Sequence, residues 1–186
     1  MQYALDTASI KTSLDVLALK HERIARALAQ VGYPEERRRA HSFATLARIV
    51  VGQQISVSAA TSVNTKLLAS LGGDLTAEAV LRADETTLRS AGLSRQKVEY
   101  MRCLATAEAT DVLSLEALTG LSDDEAIRAI TQIKGFGDWS AHMYLMFSLG
   151  RPNIWPVGDL AVREGFKRIH GLEERPTIGQ LGELGA

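Results

Sequence analysis

The stretch Thr131–Ile169, TQIKGFGDWSAHMYLMFSLGRPNIWPVGDLAVREGFKRI, decides the fold. Near its start, Ile133-Lys134-Gly135-Phe136-Gly137 sets two glycines two positions apart, between one helical run and a second that opens near Asp138. Glycine takes positive φ and lets another backbone come close, so the pattern predicts a tight hairpin between two helices. Such a turn aims successive N–H groups at the positive end of the second helix, a geometry that suits a phosphate and serves equally as a plain connector. Twenty positions after Trp139 stands Asp159, in Trp155-Pro156-Val157-Gly158-Asp159-Leu160. Pro and Gly end one segment there, and Asp is placed to cap the next helix.

Outward from this stretch, 186 residues with 46% apolar side chains suit one domain, or two lobes sharing a core. The formal charge of −1 gives no bulk electrostatic sign of nucleic-acid binding. Between Thr131 and His170, however, Lys134, Arg151, Arg163, Lys167 and Arg168 outweigh Asp138, Asp159 and Glu164, enough for a small basic face. Cys103 is the only cysteine, which excludes an internal disulfide framework, a four-cysteine zinc site and a cysteine-ligated iron–sulfur cluster within one chain. Met1–Lys20 lacks a basic start followed by a long apolar run, and no eighteen consecutive residues are apolar. The expectation is a cytoplasmic protein with no export signal and no membrane span.

In chain order, Leu14, Val16, Leu17, Leu19, Ile24, Ala25, Leu28 and Val31 recur at helical spacing and predict one amphipathic helix over 13–31, ended by Gly32-Tyr33-Pro34. Glu35 to Arg39 reads as a solvated charge cluster. Helices are expected over 41–51 and 58–71, separated by Gly52-Gln53-Gln54-Ile55-Ser56, and short ones over 76–83 and 85–91. Ser94 caps the next helix, 95–110, which turns Val98, Met101, Leu104 and Ala105 inward and Arg95, Lys97 and Arg102 outward. After a short helix over 114–118, Ser122 and Glu125 form a capping box for the first helix of the hairpin. The second hairpin helix is apolar nearly all round, with Ala141, Leu145 and Leu149 on one side and Trp139, Met143 and Met146 on another. No alternating β-branched pattern appears, so the fold class is all-α.

The hairpin, the Trp directly after Gly-Phe-Gly-Asp, the run Met143 to Pro152 and the Pro-Val-Gly-Asp before a helix resemble the helix-hairpin-helix DNA glycosylases, in particular the 3-methyladenine DNA glycosylase II branch. The segments Gly-Gln-Gln-Ile-Ser and Gly-Leu-Ser-Arg-Gln-Lys are similar to the same family. The resemblance covers about residues 41–172 of a single helical domain spanning 1–186. It implies two helical lobes with a cleft between them and no N-terminal β domain. A final aromatic-rich helical segment of the family has no counterpart before the chain stops at Ala186, which leaves an incomplete chain as one expectation.

By resemblance, Asp159 is the catalytic carboxylate, and the hairpin around Lys134, Gly135, Gly137 and Ser140 grips a DNA phosphate, with Arg163 as a further DNA contact. Gln54 is the wedge that enters the minor groove and fills the gap left by a flipped nucleotide, with Gln53 beside it; both also read as ordinary surface residues. An amide wedge can hydrogen-bond the orphaned partner base. Trp139, Met143, Tyr144, Trp155 and Leu160 are the base-pocket candidates. Trp139 is the first choice for stacking, although it reads equally as a core residue of a buried helix. The main-chain carbonyls of Thr131, Ile133 and Phe136 are the family's ligands for a structural monovalent cation; no other cofactor is implied.

The chemistry follows from the residue types. Breaking an N-glycosidic bond builds positive charge on the deoxyribose, which a fixed carboxylate stabilises electrostatically. The same carboxylate can draw a proton from the attacking water, and both roles stay open for Asp159. An alkylated purine already carries positive charge, so it leaves without an acid and stacks on electron-rich rings. In related bifunctional enzymes a lysine stands two residues after the second hairpin glycine; here that residue is Trp139, which argues against a lyase step. The reading is a monomeric, monofunctional glycosylase that excises alkylated purines such as 3-methyladenine and 7-methylguanine from double-stranded DNA. The alternative is a non-catalytic or truncated helix-hairpin-helix DNA-binding module. With so small a local excess of positive charge, few phosphates are neutralised. Log K should fall by about 0.9 per phosphate against log salt, giving a slope shallower than about −6 in a salt titration of duplex binding.

Overall fold

The computed structural model describes residues 3–184, and among them the chain forms twelve helices and no strand. It divides into two compact units, residues 39–144 and residues 3–38 together with 145–184. No helix among the described residues is long and apolar enough to cross a membrane.

The first unit holds α3 (Phe43–Gly52), α4 (Val57–Ser70), α5 (Ala77–Arg82), α6 (Glu85–Ser90), α7 (Arg95–Ala109), α8 (Leu115–Leu118), α9 (Asp123–Thr131) and most of α10 (Asp138–Phe147). Each helix from α4 to α9 begins at a residue whose side-chain oxygen accepts a backbone N–H of its first turn: Ser56, Thr76, Asp84, Ser94, Ser114 and Ser122. Such a cap is worth about 1 kcal/mol, a large share of the stability of helices as short as α5, α6 and α8. At α9 the capping box is complete, with the Ser122 N–H donating to Glu125 at 2.9 Å. Between the caps, the apolar stripes meet in one core. Leu46, Val50 and Val51 of α3, Val80 of α5, and Val98, Met101, Leu104 and Ala105 of α7 are buried, and α7 packs on both α3 and α5.

The expected outward Lys97 and Arg102 are corrected by this packing. Lys97 Nζ donates to the Val51 carbonyl at 2.7 Å, and Arg102 Nη2 to the Ala83 carbonyl at 2.7 Å. Each cation therefore satisfies a carbonyl at the C-terminal end of a neighbouring helix, where the helix dipole favours positive charge. Burial holds the Lys97 amine below its usual range.

The second unit holds α1 (Thr7–Lys20), α2 (Glu22–Val31), the last turn of α10, α11 (Leu160–His170) and α12 (Ile178–Leu184). The single helix expected over 13–31 is two helices, because His21 adopts an extended conformation at φ −132°. Its N–H still closes α1 on Leu17 O, and its carbonyl opens α2 by accepting from Ile24 N and Ala25 N. Helix α12 lies in the Gly-rich end where no helix was foreseen, and it buries Leu181 completely. Helix α11 closes on Gly171 in the left-handed region, with the Leu172 N–H reaching Lys167 O at 3.0 Å. This is a common helix stop, and glycine accepts it at no steric cost.

On α10, burial holds the His142 imidazole below the usual histidine range, against the pull of Asp138 one turn earlier. The fold thus favours neutral His142, and the unfolded chain takes up the proton first as pH falls. Its contribution is complete above the unfolded pKa of about 6.5 and is lost as pH drops through the lower folded value. Thermal melting against pH should therefore decline less steeply below about pH 6.5 for His142→Gln than for the parent chain. Parallel curves would remove His142 from the pH response.

Candidate functional site

The hairpin turn joins α9 to α10. Ile133 N–H closes on Ile130 O at 3.2 Å, and Phe136 N–H returns to Ile133 O at 3.0 Å. Gly137 O then accepts from Ala141 N–H at 3.2 Å and starts the second helix. Gly135 has φ +95°, and a Cβ there would overlap the ring of Tyr100 on α7, so both conformation and space require glycine. Gly137 differs: its φ is not positive, and nothing of this chain lies within 4 Å of where a Cβ would stand. The space over Gly137 is open to another molecule's backbone or phosphate.

The side chains around the turn are engaged in ways the residue order does not show. Lys134 pairs with Glu99 of α7 at 2.5 Å, and both side chains are more than half exposed. Ser140 is buried, so its hydroxyl is not a direct DNA contact in this structure; it accepts from Gln53 Nε2 at 3.3 Å. Gln53, expected at the DNA, also donates to Gly135 O at 2.8 Å. Its amide is a brace between the α3–α4 loop and the hairpin. Gln54 is exposed at φ +58°, a left-handed conformation that costs a non-glycine residue of order 1 kcal/mol or more. Beside it, Ile55 and Val57 also face solvent, Val57 at 85% exposure. These two apolar neighbours were not among the sequence candidates; the signal was present, since both break the polar run of the loop.

Of the pocket candidates, Tyr144 is corrected. It has no accessible surface, its hydroxyl hydrogen-bonds His41 Nδ1 at 2.8 Å, and burial pushes its phenol far up. The same imidazole meets Leu115 O through Nε2 at 2.8 Å. A carbonyl only accepts, so Nε2 carries the hydrogen, and in a neutral imidazole Nδ1 then accepts from Tyr144. Tyr144 is a core side chain with a satisfied hydroxyl. Trp139 keeps 36% exposure at the first turn of α10, and Met143 one turn later is half-buried.

In the second unit, Asp159 caps α11 as expected. Its Oδ1 accepts from Ala161 N at 2.8 Å and Val162 N at 3.0 Å, and its own N–H is held by Pro156 O at 2.9 Å. The carboxylate is half-buried and its direction is fixed by the cap. Trp155 donates Nε1–H to Leu181 O at 3.0 Å while its ring stays 39% exposed, and Leu160 faces solvent. Arg163 Nε donates to Pro176 O at 2.8 Å, which gives that guanidinium a structural partner.

A glycine turn between two helices, followed in the same chain by a helix capped by a carboxylate, is the arrangement of a helix-hairpin-helix domain. The profile described as HhH-GPD superfamily base excision DNA repair protein matches residues 47–184, and the chain belongs to that superfamily. It is 33% identical over 135 residues to DNA-3-methyladenine glycosylase 1 of Schizosaccharomyces pombe, covering 71% of this chain and 59% of the relative. A putative DNA-3-methyladenine glycosylase of Bacillus subtilis is 26% identical over 184 residues, covering 95% of this chain and 60% of its own length. The chain thus spans about three fifths of each of these curated relatives. Among solved structures, a 3-methyladenine DNA glycosylase of Schizosaccharomyces pombe in complex with abasic DNA superposes with a TM-score of 0.85 at 29% identity, covering 92% of this chain and 86% of that one.

The two hairpin glycines make separate demands. Gly135→Ala should lower thermal stability by more than about 1 kcal/mol, through positive φ and overlap with Tyr100. Gly137→Ala should melt close to the parent chain yet bind duplex DNA less tightly. The pair of melting and binding curves checks both; equal melting of the two variants would contradict the assignment.

Proposed function

We propose that this chain is a monofunctional DNA glycosylase of the 3-methyladenine DNA glycosylase II type. It flips an alkylated purine out of double-stranded DNA and hydrolyses its N-glycosidic bond, working as a monomer in the cytoplasm. The observation that carries the reading is the half-buried Asp159 carboxylate, held by two N–H groups at the start of α11 within the region shared with the superfamily. The names of the relatives and the abasic DNA bound by the superposed enzyme support the substrate class.

In this reading the turn at Gly135 and Gly137 receives a phosphate, and Gln54 fills the gap in the base stack. Within the first unit, exposed Trp139 and half-buried Met143 offer apolar surface to the extruded base; in the second, Trp155 and Leu160 are exposed apolar candidates of their own. A positively charged purine stacks on an indole face and needs no proton to leave. Asp159 stabilises the charge that develops on the sugar, where a preorganised carboxylate acts without reorganising water. Trp139 occupies the position at which a lyase would carry its lysine, so no covalent step through an amine is available there.

The reading includes a monovalent cation held by the carbonyls of Thr131, Ile133 and Phe136. In support, Ile133 O accepts one hydrogen bond and keeps a second lone pair, and the amide of Gln53 goes to Gly135 O, outside the set. Among the described residues no cluster of three or more His, Cys, Asp or Glu side chains offers another metal site. When bound, such an ion supplies positive charge behind the turn that faces the phosphate.

Asp159→Asn is the decisive variant. Asn caps a helix about as well as Asp, so melting should stay within about 1 kcal/mol. Loss of the negative charge should slow base release by roughly 100-fold to 1000-fold. Duplex affinity should hold or rise, because a carboxylate near phosphates is removed. Base release from methylated DNA, melting and affinity are measured for both proteins. Full activity in the variant would sink the assignment, and no release by either protein would favour a DNA-binding module without catalysis.

A further inference from the structure

Gln53 lies next to the proposed wedge, yet its amide points into the protein. We propose that Gln53 is a positioning residue that locks the loop carrying Gln54 to the hairpin turn, so that wedge and phosphate grip meet DNA as one rigid piece. The consequence for DNA rests on the proposed function above; the lock itself is internal to the first unit.

Three bonds carry the argument. Gly135 O accepts from Gln53 Nε2 at 2.8 Å, and Phe136 N–H, the other polar end of the same peptide group, donates to Ile133 O at 3.0 Å. Because a carbonyl can only accept, the orientation of the Gln53 amide is fixed by its partner. A glycine at φ +95° has other conformations open to it, and a rotation of this peptide would reverse its dipole inside the turn. Gln53 holds the plane from outside the hairpin, while the Tyr100 ring packs against Gly135 where any side chain would otherwise be. On the loop side, Lys97 Nζ fixes Val51 O at 2.7 Å in the last turn of α3. Val51 and Gln53 are thus anchored to α7 and to the hairpin, and the exposed, left-handed Gln54 follows directly. The fixed frame is what lets a strained, projecting residue hold its direction.

The test compares the parent chain with Gln53→Met, which keeps length but no donor, Gln53→Glu, which regains an O–H donor only when protonated, and Gln54→Ala. Hydrogen exchange of the amides from Ile133 to Gly137 reports the turn, and affinity for undamaged duplex reports the grip without any need for base flipping. In Gln53→Met, exchange across the turn should speed up about tenfold and undamaged-duplex affinity should fall by a similar factor, the loss expected for one buried hydrogen bond. Gln54→Ala should leave exchange across the turn unchanged while reducing base release from duplex. Lowering the pH should restore turn protection in Gln53→Glu and not in Gln53→Met, a rescue that a merely space-filling role would not give. Turn exchange in Gln53→Met equal to the parent, or absence of the pH rescue in Gln53→Glu, overturns the proposal; should Gln53→Met unfold, the Glu variant decides alone. A parent chain that releases no base overturns the glycosylase reading instead, and leaves the exchange result to judge the lock.

Discussion

The contact between Gly135 and the ring of Tyr100 is the constraint on which the first unit depends. With φ at +95° and no room for a Cβ, this glycine seats the hairpin directly on α7. The same helix sends Lys97 to the end of α3, Glu99 to Lys134 and Arg102 to the end of α5. Between these side chains it buries Val98, Met101, Leu104 and Ala105. At roughly 1.5 to 3 kcal/mol per large buried apolar side chain, that burial secures the helix, and its exposed residues are then rigid supports. Core packing thus sets the frame for the turn, and the side chains of Lys97 and Gln53 tie the Gln54 loop to it.

In the proposed reading, this arrangement lets a chain of net charge −1 hold duplex DNA. A turn built from glycines offers backbone N–H groups and a helix N-terminus, which attract a phosphate without any cationic side chain. Lys134 is already paired with Glu99 across an exposed surface, where such a pair is worth at most about 1 kcal/mol. It can turn to a phosphate at small cost, but it adds little long-range attraction while Glu99 screens it. Affinity then rests on a few short, directional contacts.

Much of this was legible in the residue order, for stated reasons. Ser94, Ser122 and Asp159 stand where short polar side chains cap helices, and each does so. The Gly135 turn followed from glycine's access to positive φ. What stayed hidden were long-range bonds from side chains to backbone carbonyls: Lys97 to Val51, Gln53 to Gly135, Arg163 to Pro176. A carbonyl acceptor is supplied by every residue type, so no spacing rule announces it. The break at His21 was hidden as well, since the apolar stripe of Leu14 to Leu28 runs through it without a Gly or Pro to mark it. Helix α12 escaped because Gly179 and Gly182 weaken its helical signal, and it is secured by burial of Leu181. Tyr144 looked like a pocket aromatic because sequence does not say which side of an apolar helix is sealed.

Asp159 caps α11, and the catalytic role proposed for it asks for the same kind of side chain. A cap requires a short side chain, because the oxygen must reach the N–H groups two and three residues ahead from an extended backbone. Oδ1 does so at 2.8 and 3.0 Å. Those two bonds fix the plane of the carboxylate before any substrate arrives, and a group fixed in advance stabilises developing charge without the cost of reorienting. A glutamate would place its charge one methylene further out with an extra rotatable bond, weakening the cap and loosening the charge together. In the proposed reading, stability and chemistry thus select the same side chain at this position, as they would wherever a helix N-terminus must present a fixed negative charge.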